Sequence, residues 1–437
     1  MRILFIAPSA YLLGGVQDWL YTTVLGLRER GHIVKVGVPD DYFHNGRQFN
    51  KHFNGLEAEF FRNRSGTNEG RIRALERFLR KNRTDIIVGV NIGNLFEAVS
   101  RTIRESHEKF VMTVHAIEHN YYQDMKQYGR LVSGVVATNK LSALLAEKVG
   151  SIDKNRVYYA PYGVDQEESS SNKRIGHMPL MIAWVGRLEQ AQKRARDIVG
   201  VLKYLDELNI SYKLEIAGDG PEKDGLLTDM STWIKAGKVE FLGVVMKENM
   251  RSFYKKHHIL LVTSEWETGP IVAWEAIRAG LAVVTSAYIG SRAEQTLIDE
   301  RTALMFDIGD TRNAAKQLAR LSNEDLRQRL NLNARAIVEK KYSVKASIDA
   351  WEGAFEDIYK SKTQIRSDER ILVVQTSTTG RLEKYLGMES SEFIRSVLPK
   401  RIGRNAGDEW PHSLQGIRNQ DWILENAKEI EQSYKFG

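Results

Sequence analysis

The run Ser264-Glu265-Trp266-Glu267-Thr268-Gly269-Pro270-Ile271-Val272-Ala273-Trp274-Glu275-Ala276 follows one apolar stretch, Ile259 to Thr263, and precedes another, Ala282 to Ser286. A short apolar run bounded by turn residues is the pattern of a parallel strand covered on both faces. Between the two strands the spacing predicts a brief loop carrying Glu267, then a helix with Pro270 as its first residue, where the missing proline N–H is no loss. Strand, loop, helix, strand is one unit of a doubly wound α/β sheet, and such sheets bind ligands at the carboxyl ends of their strands. The backbone N–H groups near Thr268, Gly269, Ile271 and Val272 are then expected at the positive end of a helix, a ready anion site. Glu275, further along the helix, suits a ribose diol.

Outward from this run the alternation repeats. Upstream lie the strand candidates Leu180 to Val185, Lys213 to Ala217 and Lys238 to Leu242. Before them Ile3 to Ala7, Ile33 to Val38, Asp85 to Val90, Phe110 to Val114, Val132 to Ala137 and Arg156 to Ala160 form a second series. Pro8 to Gly15 is a glycine-bearing loop, and Val16 to Arg30 an amphipathic stretch ended by Gly31. The polar run Glu167 to Lys173 reads as a linker. Two Rossmann-like domains are thus expected, residues 1–166 and 174–345, facing each other across a cleft. A helix over 346–361 is expected to return toward the first domain. Residues 362–437 form an extension without an assigned role, polar over Lys362 to Arg370, apolar at Ile371 to Val374 and helix-like around Trp422 to Ser433.

Bulk composition agrees with a folded chain: 437 residues, 42% hydrophobic and 27% charged, enough for two cores. The absence of cysteine removes disulfides, thiolate metal sites and cysteine nucleophiles, and fits a reducing compartment. A net charge of +7 favours anionic partners, although a solvated surface slightly rich in Lys and Arg accounts for it equally well. Pro8 interrupts the first apolar run too early for a signal peptide, and no stretch approaches the roughly 20 apolar residues that span a bilayer. A soluble or at most membrane-peripheral protein of the cytoplasm is expected.

Glu267 and Glu275, eight positions apart, match the E-x7-E motif, and the continuation Ile277-Arg278-Ala279-Gly280-Leu281-Ala282-Val283-Val284-Thr285 keeps its frame. On these residues the chain resembles the family-four glycosyltransferases, retaining enzymes of the GT-B fold. Trp184-Val185-Gly186-Arg187-Leu188 with Lys193, the turn Ala217-Gly218-Asp219-Gly220-Pro221, the strand end Phe241-Leu242-Gly243-Val244 and the loop Gly290-Ser291-Arg292-Ala293-Glu294 fall in family order. So does Gly14-Gly15-Val16-Gln17, with Gln17 in place of the usual acid, while Ser291 replaces a glycine. The resemblance covers about Met1 to Tyr359. It implies sugar transfer from a nucleotide-diphosphate sugar, UDP-sugar favoured over GDP-sugar, to a glycan, lipid-linked or small-molecule acceptor, as in polysaccharide biosynthesis. Glu267 and His115 would lie beside the transferred sugar, and Glu275 on the ribose. Gly15 would approach the donor phosphate, with Gly218, Leu242 and Val244 also on the donor side and Gln17 and His119 on the acceptor side.

Without a metal ion, cations must stabilise the departing diphosphate, and Arg187 and Lys193 are the candidates. No D-x-D stands at a matching position, so neither metal nor cofactor is expected. Arg194 and Arg196 crowd Lys193, which leaves open which cation meets phosphate. His115-Ala116-Ile117-Glu118-His119 also spells the H-x-x-E-H zinc string, but that chemistry needs both histidines on one helical face, and this string directly follows a β-type run. The basic helix candidate Arg71 to Arg83 fits either an anionic lipid surface or an ordinary solvated face, the latter preferred slightly. A degenerate scaffold and a sugar-nucleotide epimerase are the alternative functions. Nucleic-acid binding lacks the basic stripe interleaved with aromatics that it needs.

Overall fold

The computed structural model describes residues 1–9, 14–41, 45–102, 108–165, 179–361, 381–397 and 420–433. The chain divides into two compact units, Met1–Ala160 with Ile348–Asn426, and Pro161–Ser347 with Ala427–Gly437.

In the first unit β1 (Arg2–Ile6), β2 (Ile33–Pro39), β3 (Glu59–Phe61), β4 (Ile86–Gly89), β5 (Lys109–Val114), β6 (Gly134–Ala137) and β7 (Val157–Tyr159) form one sheet. Its order is β3-β2-β1-β4-β5-β6-β7, paired in parallel. Ile3, Leu4, Phe5 and Ile6 are buried because β1 lies between two strands with helices over both faces, which is why its sequence is continuously apolar. The strand order reverses between β1 and β4, so the loops after them diverge and leave room at their carboxyl ends. There the helix Gly15–Glu29 begins behind Gly14.

The second unit repeats the plan with β8 (Leu180–Val185), β9 (Tyr212–Ala217), β10 (Val239–Gly243), β11 (Ile259–Val262), β12 (Ala282–Ser286) and β13 (Leu304–Phe306). Their order is β10-β9-β8-β11-β12-β13, again parallel, with the switch between β8 and β11. Trp184, Ile198, Leu202, Leu214, Leu261 and Leu318 belong to its core.

The sequence pattern misses β3 and β13, which are three residues long, too short to show a period. The expected basic helix runs Asn68–Lys81, opened by the Thr67 side chain accepting from the Gly70 N–H, so Arg83 lies beyond it. Pro270 occupies the cap position (φ −76°, ψ 74°) and the helix starts at Ile271, one residue later than expected. The helix Val344–Lys360 packs its later part in the first unit, where Trp351 lies 4.5 Å from Trp19. Trp422 to Ser433 lies within the helix Gln420–Ser433. The linker Glu167 to Lys173 and the stretches Lys362 to Arg370 and Ile371 to Val374 fall outside the described residues. Among the described residues no helix is long and apolar enough to cross a membrane.

Candidate active site

The switch point of the second unit brings the Lys193 turn onto the Glu267 loop. The carboxylate of Glu189 accepts from the Gln192 and Lys193 amides and fixes the turn. The Thr263 hydroxyl, at the end of β11, donates to the Lys193 carbonyl (2.7 Å) and accepts from the Trp184 indole N–H of β8 (3.1 Å). The Glu265 amide donates to the Gln192 carbonyl (2.7 Å), and the Gln192 side chain to the Trp266 carbonyl (3.2 Å). Two strand ends and two loops are thereby one hydrogen-bonded piece.

Within that piece Lys193 Nζ lies 2.7 Å from Glu267 Oε1, and the Ser264 hydroxyl donates to the same oxygen (2.5 Å). Glu267 is buried, so its carboxylate depends on these two partners. Arg194 binds Asp197 and Glu265, and Arg196 binds Glu222. Both neighbours of Lys193 are therefore committed to carboxylates. Arg187 is exposed and has no ion pair among the described residues. Lys193 is paired as well, with Glu267, so of these four cations only Arg187 has no ion pair among the described residues.

The Ile271–Arg278 helix begins beside Glu267. One expected donor is lost: the Ile271 N–H is taken by the Gly269 carbonyl (2.8 Å). The Gly269 and Val272 amides have no backbone acceptor among the described residues. Gly269 sits at φ 108°, which strains any side chain there. Glu275 accepts from the Tyr254 hydroxyl (3.2 Å).

The Gly218 turn packs against the end of β8. A Cβ on Gly218 would lie 1.8 Å from the Gly186 carbonyl oxygen, so glycine is required there for packing as well as for φ 148°. Its N–H donates to the Gly243 carbonyl (2.7 Å), which ties the turn to the end of β10. Register shifts between Phe241 and Gly243, and Leu242 and Val244 are exposed beside this bulge.

One contributor had no sequence signal. Glu431, in the C-terminal helix, accepts from the Gly290 amide (2.9 Å) and the Arg292 amide (2.7 Å) and closes the end of the Ser291–Glu294 turn. Ile289 in the same loop donates to the Glu265 carbonyl and accepts from the Glu267 amide, so the extension braces the Glu267 loop through this contact. The two partners stand 141 positions apart, beyond any local pattern.

In the first unit Gly15 is exposed at the helix start and Gln17 is buried in its first turn. His115 follows β5, shares a 2.9 Å hydrogen bond with the Thr113 hydroxyl and packs 4.5 Å from Trp19. His119 opens the helix His119–Tyr128, and His115 precedes it, so the two do not share a helical face as the zinc string requires. Burial lowers His115 to about 3 from 6.5. The folded chain thus holds a neutral imidazole where the unfolded chain charges, and folding stability falls as pH drops below about 6.5 toward 3. In calorimetry, the melting temperature of His115→Gln is expected to fall less than that of wild type between about pH 7 and pH 5. An equal fall in both would remove His115 as the titrating group.

These features define the class: an α/β protein of two Rossmann-like units, each with a switch point in its strand order. Comparison with known proteins gives the family. Residues 13–168 match the model described as Glycosyltransferase Family 4, and residues 165–337 the model Glycosyl transferases group 1. The chain belongs to these glycosyltransferases. It is 33% identical over 166 residues to an uncharacterized glycosyltransferase of Methanocaldococcus jannaschii, covering 34% of this chain and 42% of that protein. It is 28% identical over 156 residues to a Campylobacter jejuni enzyme named as an α-1,4-N-acetyl-D-galactosaminyltransferase of a GalNAc-GalNAc-diNAcBac-PP-undecaprenol acceptor, covering 36% and 42%. The matches thus span 42% of the length of each relative. The crystal structure of HepE of Anabaena in complex with UDP superposes with a TM-score of 0.65 at 17% identity, covering 82% of this chain and 100% of that one. The fold is GT-B.

Proposed function

We propose that the chain moves a sugar from a UDP-sugar, with retained anomeric configuration and without a metal ion, to a glycan, lipid-linked or small-molecule acceptor. The observation that carries this reading is the Lys193–Glu267 pair, its carboxylate buried and its ammonium partly exposed, at the amino end of the Ile271–Arg278 helix. Arg187, Lys193 and the Gly269 and Val272 amides form a cationic, N–H-rich wall for a departing diphosphate. Thr268, Pro270 and Ile271 shape that wall, Glu275 takes the ribose hydroxyls, and the Gly218 turn with Leu242 and Val244 borders the base. In the first unit Gly15 leaves space for phosphate, neutral His115 serves the sugar as a hydrogen-bonding group rather than a titrating one, and Gln17 and His119 lie on the acceptor side. The UDP in HepE and the undecaprenol-linked acceptor in the C. jejuni enzyme's name support uridine and a lipid-linked glycan as first choices. A cytoplasmic place in polysaccharide biosynthesis goes with this reading.

Thermal shift with UDP, GDP and ADP tests the donor side. A ligand at 100 times its Kd adds about 2.7 kcal/mol to the folded state, a rise of several degrees. UDP is expected to give that rise in wild type and a much smaller one in Glu275→Ala. A rise with GDP alone, or an equal rise in the variant, would overturn the assignment.

A further inference from the structure

The helix Arg381–Val397 lies outside both family matches and plays no part in the site above. It bends at Gly387 (φ 73°, ψ 169°) and is fastened to the first unit by Glu392. That buried carboxylate accepts from Ser65 (2.6 Å), from Thr67 (2.7 Å) at the start of the Asn68–Lys81 helix, and from Arg395 (2.9 Å). Ser391 is buried beside it. Elsewhere the helix exposes five apolar side chains: Tyr385 is 77% exposed, Phe393 70%, Val397 61%, Leu386 47% and Leu382 40%. The first three of these in sequence stand at i, i+3, i+4 and the last two at i, i+4, so each segment carries an apolar stripe.

Beside Phe393 lies a groove of about 650 Å³ whose wall carries Arg62, Arg64, Arg73, Arg77 and Lys81. Arg62 is paired with Asp40 and Arg73 with Glu69. Arg64, Arg77 and Lys81 are exposed and have no ion pair among the described residues. The acids of the groove do not cancel them: Glu392 is held by Arg395, and Glu389 reaches only Arg73, at 3.9 Å. Arg71, the first arginine of the sequence pattern, is no part of this face; burial lowers it to about 10.

We propose that the Arg381–Val397 helix and the basic groove beside it lay the first unit on an anionic lipid surface. Exposed aromatic and aliphatic side chains next to unpaired cations match the boundary between acyl chains and phosphate headgroups. A soluble phosphate ligand would use the cations and leave Phe393, Tyr385 and Val397 in water. A second copy of the chain would bury the apolar stripe but bring like charges together. A lipid surface satisfies both halves of the patch at once. The inference does not depend on the transfer reading, because vesicle binding involves neither donor nor acceptor.

The test is co-sedimentation of the full chain with vesicles of phosphatidylcholine, alone or mixed with phosphatidylglycerol. Wild type is expected to sediment with the mixed vesicles only, less so at raised ionic strength, and free glycerol phosphate is expected not to compete. Arg64→Ala/Arg77→Ala should lower the partition coefficient roughly 30-fold, about fivefold for each cation. Tyr385→Ser/Phe393→Ser should lose binding to a similar extent. All four positions are exposed, so melting temperature and UDP-sugar turnover, measured on the same samples, should stay at wild-type values. Failure of turnover with intact vesicle binding would count against the transfer reading alone. Wild type remaining in the supernatant, binding equally to phosphatidylcholine alone, or retained binding in both variants would overturn the membrane interface. So would full competition by glycerol phosphate, or self-association by light scattering that vanishes in Tyr385→Ser/Phe393→Ser.

Discussion

Lys193→Met is expected to lower kcat for sugar transfer roughly 10²- to 10³-fold, the usual cost of removing one preorganised group from developing negative charge. Arg194 and Arg196 are held by Asp197, Glu265 and Glu222, so the proposed cations are the unpaired Arg187 and Lys193, whose own partner Glu267 belongs to the proposed site. Arg187 alone does not replace an ammonium held in place by Glu189 and Thr263 contacts to its own backbone. The substitution also strands Glu267, buried with only the Ser264 hydroxyl, at about 3 kcal/mol or more of stability. The double variant Lys193→Met/Glu267→Gln separates the two effects. It should regain most of the melting temperature and none of the kcat. Recovery of kcat along with stability would mean that Lys193 serves the fold and not the reaction.

Glu267→Gln should cost about 100-fold in kcat, since loss of the carboxylate frees Lys193 from its fixed position and a displacement of about 1 Å in a catalytic group has that effect. UDP affinity is expected to hold, because the ribose contact is assigned to Glu275 on the next turns of the helix. Steady-state kinetics together with UDP titration distinguishes these outcomes. On the proposed reading the two glutamates divide the labour, Glu267 governing kcat and Glu275 nucleotide binding. A Glu267→Gln enzyme with normal kcat and weakened UDP binding would exchange their roles. Because Lys193 and Glu267 touch at 2.7 Å, the single effects should not add.

Much of this was legible in the sequence where chemistry and backbone geometry act locally. The apolar runs of β1, β8, β11 and β12 announce doubly covered strands, and the spacing of Glu267 and Glu275 survives because both sit on one loop-helix element. Gly218 was readable as a turn glycine, but its closer constraint, the 1.8 Å approach of a Cβ to the Gly186 carbonyl, belongs to tertiary packing. The same limit hid the rest. Whether Arg194 and Arg196 were free depended on Glu265 and Glu222, on other elements. The Ile271 amide was expected to be available until the backbone turned it onto Gly269. Glu431 and Glu392 act across the chain on Gly290 and Thr67, and a helical periodicity says which face is apolar, not which distant loop a carboxylate will cap.

The most direct test of the central claim is release of UDP from a panel of UDP-hexoses, in buffer containing EDTA, by wild type and by Glu267→Gln. Turnover of at least one donor is expected, unchanged by EDTA and cut about 100-fold in the variant. No release from any donor, or release abolished by EDTA and indifferent to Glu267→Gln, would contradict it.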